Sequence, residues 1–248
     1  MSVLLLRLAG PLQCWGIASR HNTRSTRTAP TKSGVIGLLA SALGRPRGAD
    51  LTDLTMLDFG VRVDQPGALL VDYHVVTAAS RSADPALRRL PTASGATLQP
   101  KDSTKVTRRH YLTDAVFVAA LQGRDIAHLA EALRHPRHPL YLGRRSCPPS
   151  RPVLMDLTPH PSVEVALQQA AWQAGPAERH RHRGHEHVLC EVVLDDHEGD
   201  DVLTDLPFPS LPSLRRFGPR TVTHKRVAVP VRPDRDIAPP HDPMDLLG

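Results

Sequence analysis

The 248-residue sequence has few cysteines, few aromatic residues and no long apolar run. Its three cysteines, Cys14, Cys147 and Cys190, are an odd number, lie far apart and form no CxxC pair, which argues against a disulfide framework or a zinc knuckle. Nothing approaches the roughly 18 apolar residues that span a bilayer, and the apolar residues 3–6 lack the basic leader of a signal peptide. We therefore expect a soluble, cytoplasmic protein with reduced thiols and no membrane partner.

Acidic residues are outnumbered by basic ones, 25 against 31, which gives a net charge of +6 and an isoelectric point near 9.7. This balance favours a polyanionic partner. Most of the basic residues are arginine, whose planar fork suits phosphate and base-edge contacts. A genome that prefers arginine codons would give the same composition, so both explanations stay open.

The first half of the chain alternates between strand and helix patterns. Residues 2–8 are apolar enough for a central strand, and the apolar spacing after them predicts a helix over about 32–43, which Gly44 and Pro46 end. Residues 59–63 alternate in polarity, and a Gln65-Pro66-Gly67 turn leads into a second apolar run to residue 78. These two runs predict an antiparallel hairpin.

A long polar segment interrupts this pattern between about residues 79 and 110, as is usual for functional or disordered insertions. Beyond it we predict a strand over 111–121, a helix from about 126 that ends before Pro136, and a short strand over 139–143. The order βαββ, insertion, βαβ predicts an α+β fold. Residues 1–150 would form a ferredoxin-like domain, similar to an RNA-recognition motif.

The chain becomes rich in proline after about residue 152. Strands are predicted at 188–194 and 220–231, with a possible helix at 163–173. Residues 175–187 have almost no apolar side chains and predict an exposed loop, and residues 232–248 predict a flexible tail. We expect residues 151–248 to form a smaller β-rich C-terminal domain.

Three motifs combine basic, aromatic and small residues. Trp15 follows a Gly-Pro turn after the first strand, where it could stack on a base or anchor the turn from the core. A basic loop then leads to the Pro-Thr-Lys-Ser-Gly sequence of residues 30–34 at a helix start, which could bind phosphate or simply cap the helix. The spacing GxxxxGK[ST] of a Walker loop is absent. Basic residues also lie beside tyrosines at 108–111 and 141–145.

Together these blocks resemble the CasD family, the subunit that holds the 5′ handle of the CRISPR RNA in type I-E Cascade. The resemblance runs in order through LRLAGPLQCWG, the Arg24 and Arg27 region, PTKSGVIGLLASALG, FGVRVDQPG, the triplet at residues 72–74, RHYLTDAVF and PLYLGRRSCPP. It covers most of residues 3–150. The Arg-Phe-Gly-Pro-Arg segment at residues 216–220 is similar but less specific.

The resemblance implies a ferredoxin-like domain with a protruding thumb, which the insertion at about 79–110 would form. It implies a non-catalytic subunit without cofactor or metal. Its partners would be CRISPR RNA, CasC-type backbone subunits, a CasA-type large subunit and, indirectly, target DNA. The RNA-binding residues that it implies are Gln13, Trp15, Arg20, Arg24, Arg27, Thr31, Lys32, Ser33, Lys105, Arg108, Arg109, Tyr111, Arg144 and Arg145.

Two other functions fit parts of the sequence. His110, Tyr111 and Lys105 are the residue types that a metal-independent endoribonuclease acting on CRISPR precursor RNA would use. The histidines at 180, 182, 185 and 187 could chelate a metal, although the arginines between them oppose a cation and an exposed loop is the alternative.

Overall fold

The computed structural model describes residues 2–16, 22–77, 84, 94–96, 104–208 and 217–231. Its strands are β1 (Val3–Ala9), β2 (Leu12–Gln13), β3 (Trp15–Gly16), β4 (Thr23–Arg24), β5 (Thr26–Arg27), β6 (Asp58–Gln65), β7 (Ala68–Thr77), β8 (Thr104–Thr113), β9 (Val116–Gln122), β10 (Leu154–Thr158), β11 (His187–Asp195), β12 (Asp201–Pro207) and β13 (Phe217–Pro230). Its helices are α1 (Lys32–Ala42), α2 (Thr52–Thr55), α3 (Ile126–Arg134), α4 (Val163–Gln169) and α5 (Pro176–Arg181). None of these helices is long and apolar enough to cross a membrane.

A seven-stranded sheet with the order β10-β1-β9-β6-β11-β13-β12 forms the centre of the molecule, and all of its neighbouring strands are antiparallel. Successive residues of a strand face opposite sides of a sheet. Leu4 and Phe117 therefore pack on the side of α1 and α3, whereas Leu5 and Val118 pack on the other side with α4. The fold is a mixed α and β structure with mostly antiparallel sheets, as the sequence predicts at the level of class.

The predicted helices of the first half are confirmed in α1 and α3, and the predicted strands of the second half in β11 and β13. The possible helix at 163–173 is shorter and ends at Gln169. The predicted strand over 139–143 is wrong, because this segment is a loop whose Leu142 amide donates to the Cys147 carbonyl at 2.7 Å.

The three cysteines are buried and free, and burial raises the pKa of the Cys190 thiol to about 12.

The predicted hairpin between residues 59–63 and 69–78 is wrong in its pairing, although both segments are strands. β6 pairs with β9 and β11, whereas β7 pairs with β8. One long hairpin runs out of the main sheet and bends at Pro66 and Gly67, where β6 ends and β7 begins. On its two strands Gly67 and Asp114 have positive φ angles of 71° and 52°, so both strands change direction at the same level. The Gln65 side chain holds this bend by donating to the Asp114 carbonyl at 2.5 Å.

The ribbon that leaves the sheet there, which we call the thumb, begins before the predicted insertion. It begins at β7 and returns through β8, so residues 68–77 and 104–113 form a ribbon that continues the β6–β9 hairpin. Of residues 78–103, which include most of the predicted insertion, the structure describes 84 and 94–96.

The described part of residues 151–248, the region predicted as a smaller C-terminal domain, contributes four strands to the main sheet. β10 pairs with β1 at one edge, and β11 joins β6 to β13 on the other side, so this part of the chain extends the same sheet. The predicted loop at 175–187 contains the short helix α5, although its residues are mostly exposed. The predicted tail at 232–248 lies outside the described residues.

Candidate nucleic-acid interface

The base of the thumb brings together basic residues that lie far apart in the sequence. β4 pairs in parallel with β8, which sets Thr23 against Arg108 and Arg24 against Arg109. The Arg108 amide also donates to the Asn22 carbonyl at 2.8 Å. Because successive residues of a strand face opposite sides of a sheet, this pairing places Arg24 beside Arg109 on one face of the ribbon and leaves Arg108 on the other face.

Arg144 joins the loop after α3 to this ribbon. Its guanidinium donates to the Arg24 carbonyl at 2.9 Å and to the His110 carbonyl at 3.2 Å, and it lies 4.6 Å from the centre of the Tyr111 ring. Tyr111 is buried beneath it, so this tyrosine supports Arg144 and offers no face to a ligand. The sequence predicted both residues as RNA contacts, and the structure gives Tyr111 a supporting role instead.

Tyr73 is an exposed aromatic residue that the sequence-based set of contacts omits. It lies opposite Arg108 in the thumb, its side chain is 60% exposed, and the Arg108 guanidinium lies 5.5 Å from its ring centre. An exposed ring beside a guanidinium is the arrangement that base stacking with phosphate neutralisation requires. The Asp-Tyr-His triplet at residues 72–74 was the available signal, but only the strand register places it beside Arg108.

We call the group Arg24, Tyr73, Arg108, Arg109 and Arg144, which lies around both faces of the ribbon at its base, the thumb-base surface. Arg24 and Arg108 are exposed, and the other two arginines are partly exposed. Lys105 is exposed further along β8, and Arg27 is partly exposed in β5, where it pairs with Trp15 of β3. Arg20 lies outside the described residues. The thumb base therefore gathers much of the basic part of the predicted RNA-binding set.

A cleft of about 700 Å³ opens next to α1, between the loop that follows this helix and the loop that follows α3. Its charged and aromatic lining residues are Arg45, Arg47, His138, Tyr141 and Arg145. Arg45 is already paired with Asp53, its guanidinium nitrogen lying 2.6 Å from a carboxylate oxygen. Of this set the predicted RNA contacts include Arg145 alone, although Tyr141 lies in the same PLYLGRRSCPP motif.

Gln13 and Trp15 belong to the core and not to the surface. Both are fully buried. The Gln13 amide donates to the Leu8 carbonyl at 3.0 Å and the Ala115 carbonyl at 2.6 Å, and the Trp15 indole donates to the Gln13 side-chain oxygen at 3.1 Å. The alternative of a tryptophan that anchors the turn from the core is therefore the correct one.

The start of α1 is occupied by the protein's own groups, which corrects the predicted phosphate site. Thr31 caps the helix by accepting from the Gly34 amide at 3.2 Å, and the Ser33 hydroxyl donates to Thr31 at 3.4 Å. The Asp205 carboxylate accepts from the Lys32 amide at 2.9 Å, so an internal anion fills the position that suits negative charge. Thr31 and Lys32 are buried.

The Lys32 side chain completes this internal network. Its ammonium group lies 2.7 Å from the Asp195 carboxylate and donates to the Leu57 carbonyl at 2.7 Å. Arg220 donates to Asp205 at 2.6 Å and also pairs with Asp195. The network ties α1 to the C-terminal strands, and its acidic members lie more than 160 residues from Lys32, which is why the sequence did not reveal it.

We expect Lys32→Met to cost about 2 kcal/mol of unfolding free energy, because it removes a buried, hydrogen-bonded charge from the partly buried Asp195 carboxylate. RNA affinity of the folded protein should not change. Urea unfolding and RNA titration measure the two effects, and exposed Lys105→Met is the matched control, which should keep its stability. If Lys32→Met instead reduced the salt dependence of RNA binding without changing stability, this result would support the phosphate site predicted from the sequence.

The three residues suggested for a ribonuclease do not converge. His110 and Tyr111 are neighbours in β8 and face opposite sides of the ribbon. Lys105 lies six residues from Tyr111, about 20 Å along an extended strand. Among the described residues, no three His, Cys, Asp or Glu side chains are grouped so as to hold a metal ion, and this includes the histidines at 180–187.

Comparison with known proteins agrees with the order of these motifs. A family model described as CRISPR-associated protein (Cas_Cas5) matches residues 3–223. The CRISPR system Cascade subunit CasD of Escherichia coli K12 is 38% identical over 167 residues, which are 62% of this chain and 70% of that protein. A chain of a solved CRISPR RNA-guided surveillance complex is 34% identical, with a TM-score of 0.76 over 94% of this chain and 95% of that one. A second solved structure, a Cas protein, is 36% identical, with a TM-score of 0.68 over 94% and 100% of the two chains.

Proposed function

The chain belongs to the Cas5 family of CRISPR-associated proteins, and we propose that it is a non-catalytic subunit that holds the 5′ handle of a CRISPR RNA in a Cascade-type surveillance complex. The observation that carries this proposal is the pairing of β4 with β8, which concentrates Arg24, Arg108 and Arg109 at the base of the thumb. Cationic side chains beside an exposed ring suit single-stranded RNA, whose phosphates and unstacked bases are both accessible.

The cleft beside α1 is the second part of the proposed handle site. Arg145 follows Arg144 directly, so the residue that joins the thumb-base surface is adjacent to one that lines the cleft. Tyr141 offers an aromatic ring there, while Arg47 and His138 offer hydrogen-bond donors. We propose that phosphates follow the thumb base and that one end of the handle enters this cleft.

The proposed domain core is ferredoxin-like. Along the chain its elements would be β1, α1, β6, β9, α3 and β10, which is the βαββαβ order of that fold. In the sheet these strands are adjacent as β10-β1-β9-β6. The thumb would then be an extension of the hairpin between the second and third strands of the core.

The thumb also presents a surface suited to a protein partner. Leu69, Val71, Tyr73 and Val75 alternate on one face of β7, and Leu69 and Val75 are 64% and 60% exposed. An exposed apolar stripe of this kind marks an interaction site more often than a solvated face. We propose a CasC-type backbone subunit as its partner, with a CasA-type large subunit and target DNA reached through the assembled complex.

If the protein binds RNA without cleaving it, precursor RNA should stay intact in its presence. Purified protein incubated with CRISPR precursor RNA should yield no new 2′,3′-cyclic phosphate ends, with or without divalent metal, because His110, Tyr111 and Lys105 do not converge. End analysis of the RNA checks this. Site-specific cleavage that His110→Ala abolishes would overturn the non-catalytic proposal.

The binding itself is tested with short RNAs. An RNA that carries the repeat-derived handle at its 5′ end should bind at least about 10-fold more tightly than one with the same nucleotides in permuted order, about 1.4 kcal/mol. Equal affinity for the two RNAs at physiological salt would contradict handle recognition.

A further inference from the structure

The histidine- and arginine-rich segment of residues 180–187 lies on the thumb side of the main sheet. β11 begins at His187 and runs antiparallel to β6, with Glu191 opposite Val63, so the start of β11 is level with the end of β6, where the thumb begins. Gln65 links the two directly, because its side chain accepts from the Gly175 amide at 2.9 Å and donates to Asp114 at the thumb base. Gly175 is the N-cap of α5.

This segment is anchored to the core on its inner side. The Arg179 guanidinium lies 5.9 Å from the Trp172 ring centre and donates to the Ala174 carbonyl at 2.8 Å. The His182 ring lies 5.4 Å from the Trp172 ring, and Trp172 itself is buried and donates to the Asp64 carbonyl. Arg179 and His182 are therefore structural residues.

The outer side of the segment presents hydrogen-bond donors to solvent. His180, Arg183 and His185 are exposed, and Gly184, with φ of 91°, turns the chain between the last two. One ring nitrogen of His185 lies 3.3 Å from the His182 carbonyl, and this contact orients the ring.

These donors suit phosphate. Guanidinium and imidazole N–H groups both donate to phosphate oxygens. A neutral His180 ring has one N–H to donate, whereas His185 has a second N–H for phosphate only in its protonated form, because its Nδ1–H faces the His182 carbonyl. The acidic neighbours are Glu178, which is engaged by Arg181 at 2.7 Å, and Glu186. Donors therefore outnumber carboxylates on this side of the segment.

We infer that this outer side binds the phosphate backbone of the guide RNA after it leaves the handle site. The inference rests on the proposed handle function, because it takes the RNA at the thumb base as its starting point. Continuity with the thumb base through Gln65 and the excess of donors over carboxylates favour a polyanion here. The guide nucleotides are joined to the 3′ end of a 5′ handle, and in this proposal they are the ones that meet this segment.

The test uses the full chain and two RNAs, the handle alone and the handle extended at its 3′ end by a uridine tract. The variant is His180→Gln with Arg183→Gln and His185→Gln, which removes the outer donors and leaves Arg179 and His182 in place. The matched control is His128→Gln with Arg134→Gln and His135→Gln, which changes the same residue types on and beside α3. Affinity for the extended RNA should fall about 3- to 10-fold in the variant, with a salt slope smaller by about 0.7 for each phosphate that is no longer neutralised.

The other outcomes separate the two proposals. Handle RNA alone should bind the variant within about twofold of the wild type. Unchanged binding of both RNAs would make the segment a solvated loop, and an equal loss for both would place it within the handle site. Either of these two results overturns the inference. If the wild type itself fails to bind handle RNA, the proposed function fails first.

Discussion

Arg108→Ala combined with Arg109→Ala should weaken handle RNA binding by roughly 10- to 100-fold while the protein stays folded. Both side chains lie on the ribbon outside the hydrophobic core, and Arg108 also forms the cationic partner of Tyr73. With two fewer phosphates neutralised, the salt slope of single-stranded RNA binding should decrease by about 1.4. RNA titrations across several salt concentrations, together with thermal melting, measure the two effects.

The matched control removes two exposed arginines beside and within α3, Arg124→Ala with Arg134→Ala. It produces the same change in net charge, so a loss that is specific to the thumb pair separates local contacts from a general effect of charge. If the thumb variant unfolds while its folded fraction binds normally, these arginines act in folding and the assignment to RNA is wrong.

Arg62→Met should have the largest effect on stability, a loss of roughly 3–5 kcal/mol of unfolding free energy. Arg62 is fully buried and lies 2.6 and 2.9 Å from the two Asp64 carboxylate oxygens. It also donates to the Ala170 and Ala171 carbonyls after α4 at 2.7 and 3.0 Å. Its removal leaves an uncompensated buried charge and unsatisfied helix-end carbonyls.

The stability of this variant should also depend on pH in a defined direction. Burial raises the pKa of the Asp64 carboxyl, an effect that Arg62 opposes. Without Arg62 the folded carboxyl should bind a proton at a pH where the unfolded one has lost it, so unfolding free energy should fall as pH rises above the ordinary aspartate range.

Urea unfolding at several pH values checks this expectation. The double variant Arg62→Met with Asp64→Asn should regain part of the lost unfolding free energy. Its stability should also depend less on pH than that of Arg62→Met alone. A single variant as stable as the wild type would mean that the pair contributes nothing to the fold.

The local patterns of the sequence were sufficient to predict most helices and strands, but not which strands pair with each other. α1 and α3 follow directly from apolar spacing, and β11 and β13 from their alternation or apolar character. The pairing of β6 failed because a proline-glycine pair fits both a tight turn and a change of sheet. The long-range contact between Gln65 and Asp114 is one feature that distinguishes the two, and the sequence pattern does not reveal it.

The candidate site shows the same division. The resemblance to the CasD family, carried by basic motifs in polar sequence, implied Arg24, Arg108 and Arg109 as RNA contacts, and the structure leaves all three wholly or partly exposed. Sequence failed at Lys32, because a lysine at a helix start gives no sign that Asp195 and Asp205 will reach it from the C-terminal strands. The sequence also missed Tyr73, because its position beside Arg108 depends on the register between β7 and β8.

Sequencing the RNA that co-purifies with this chain, when it is co-expressed with its complex partners and a CRISPR array, tests the central claim most directly. We expect short RNAs that share one 5′ handle, and we expect Arg108→Ala with Arg109→Ala to reduce their recovery with this subunit. A heterogeneous RNA population without a common 5′ sequence would contradict the account.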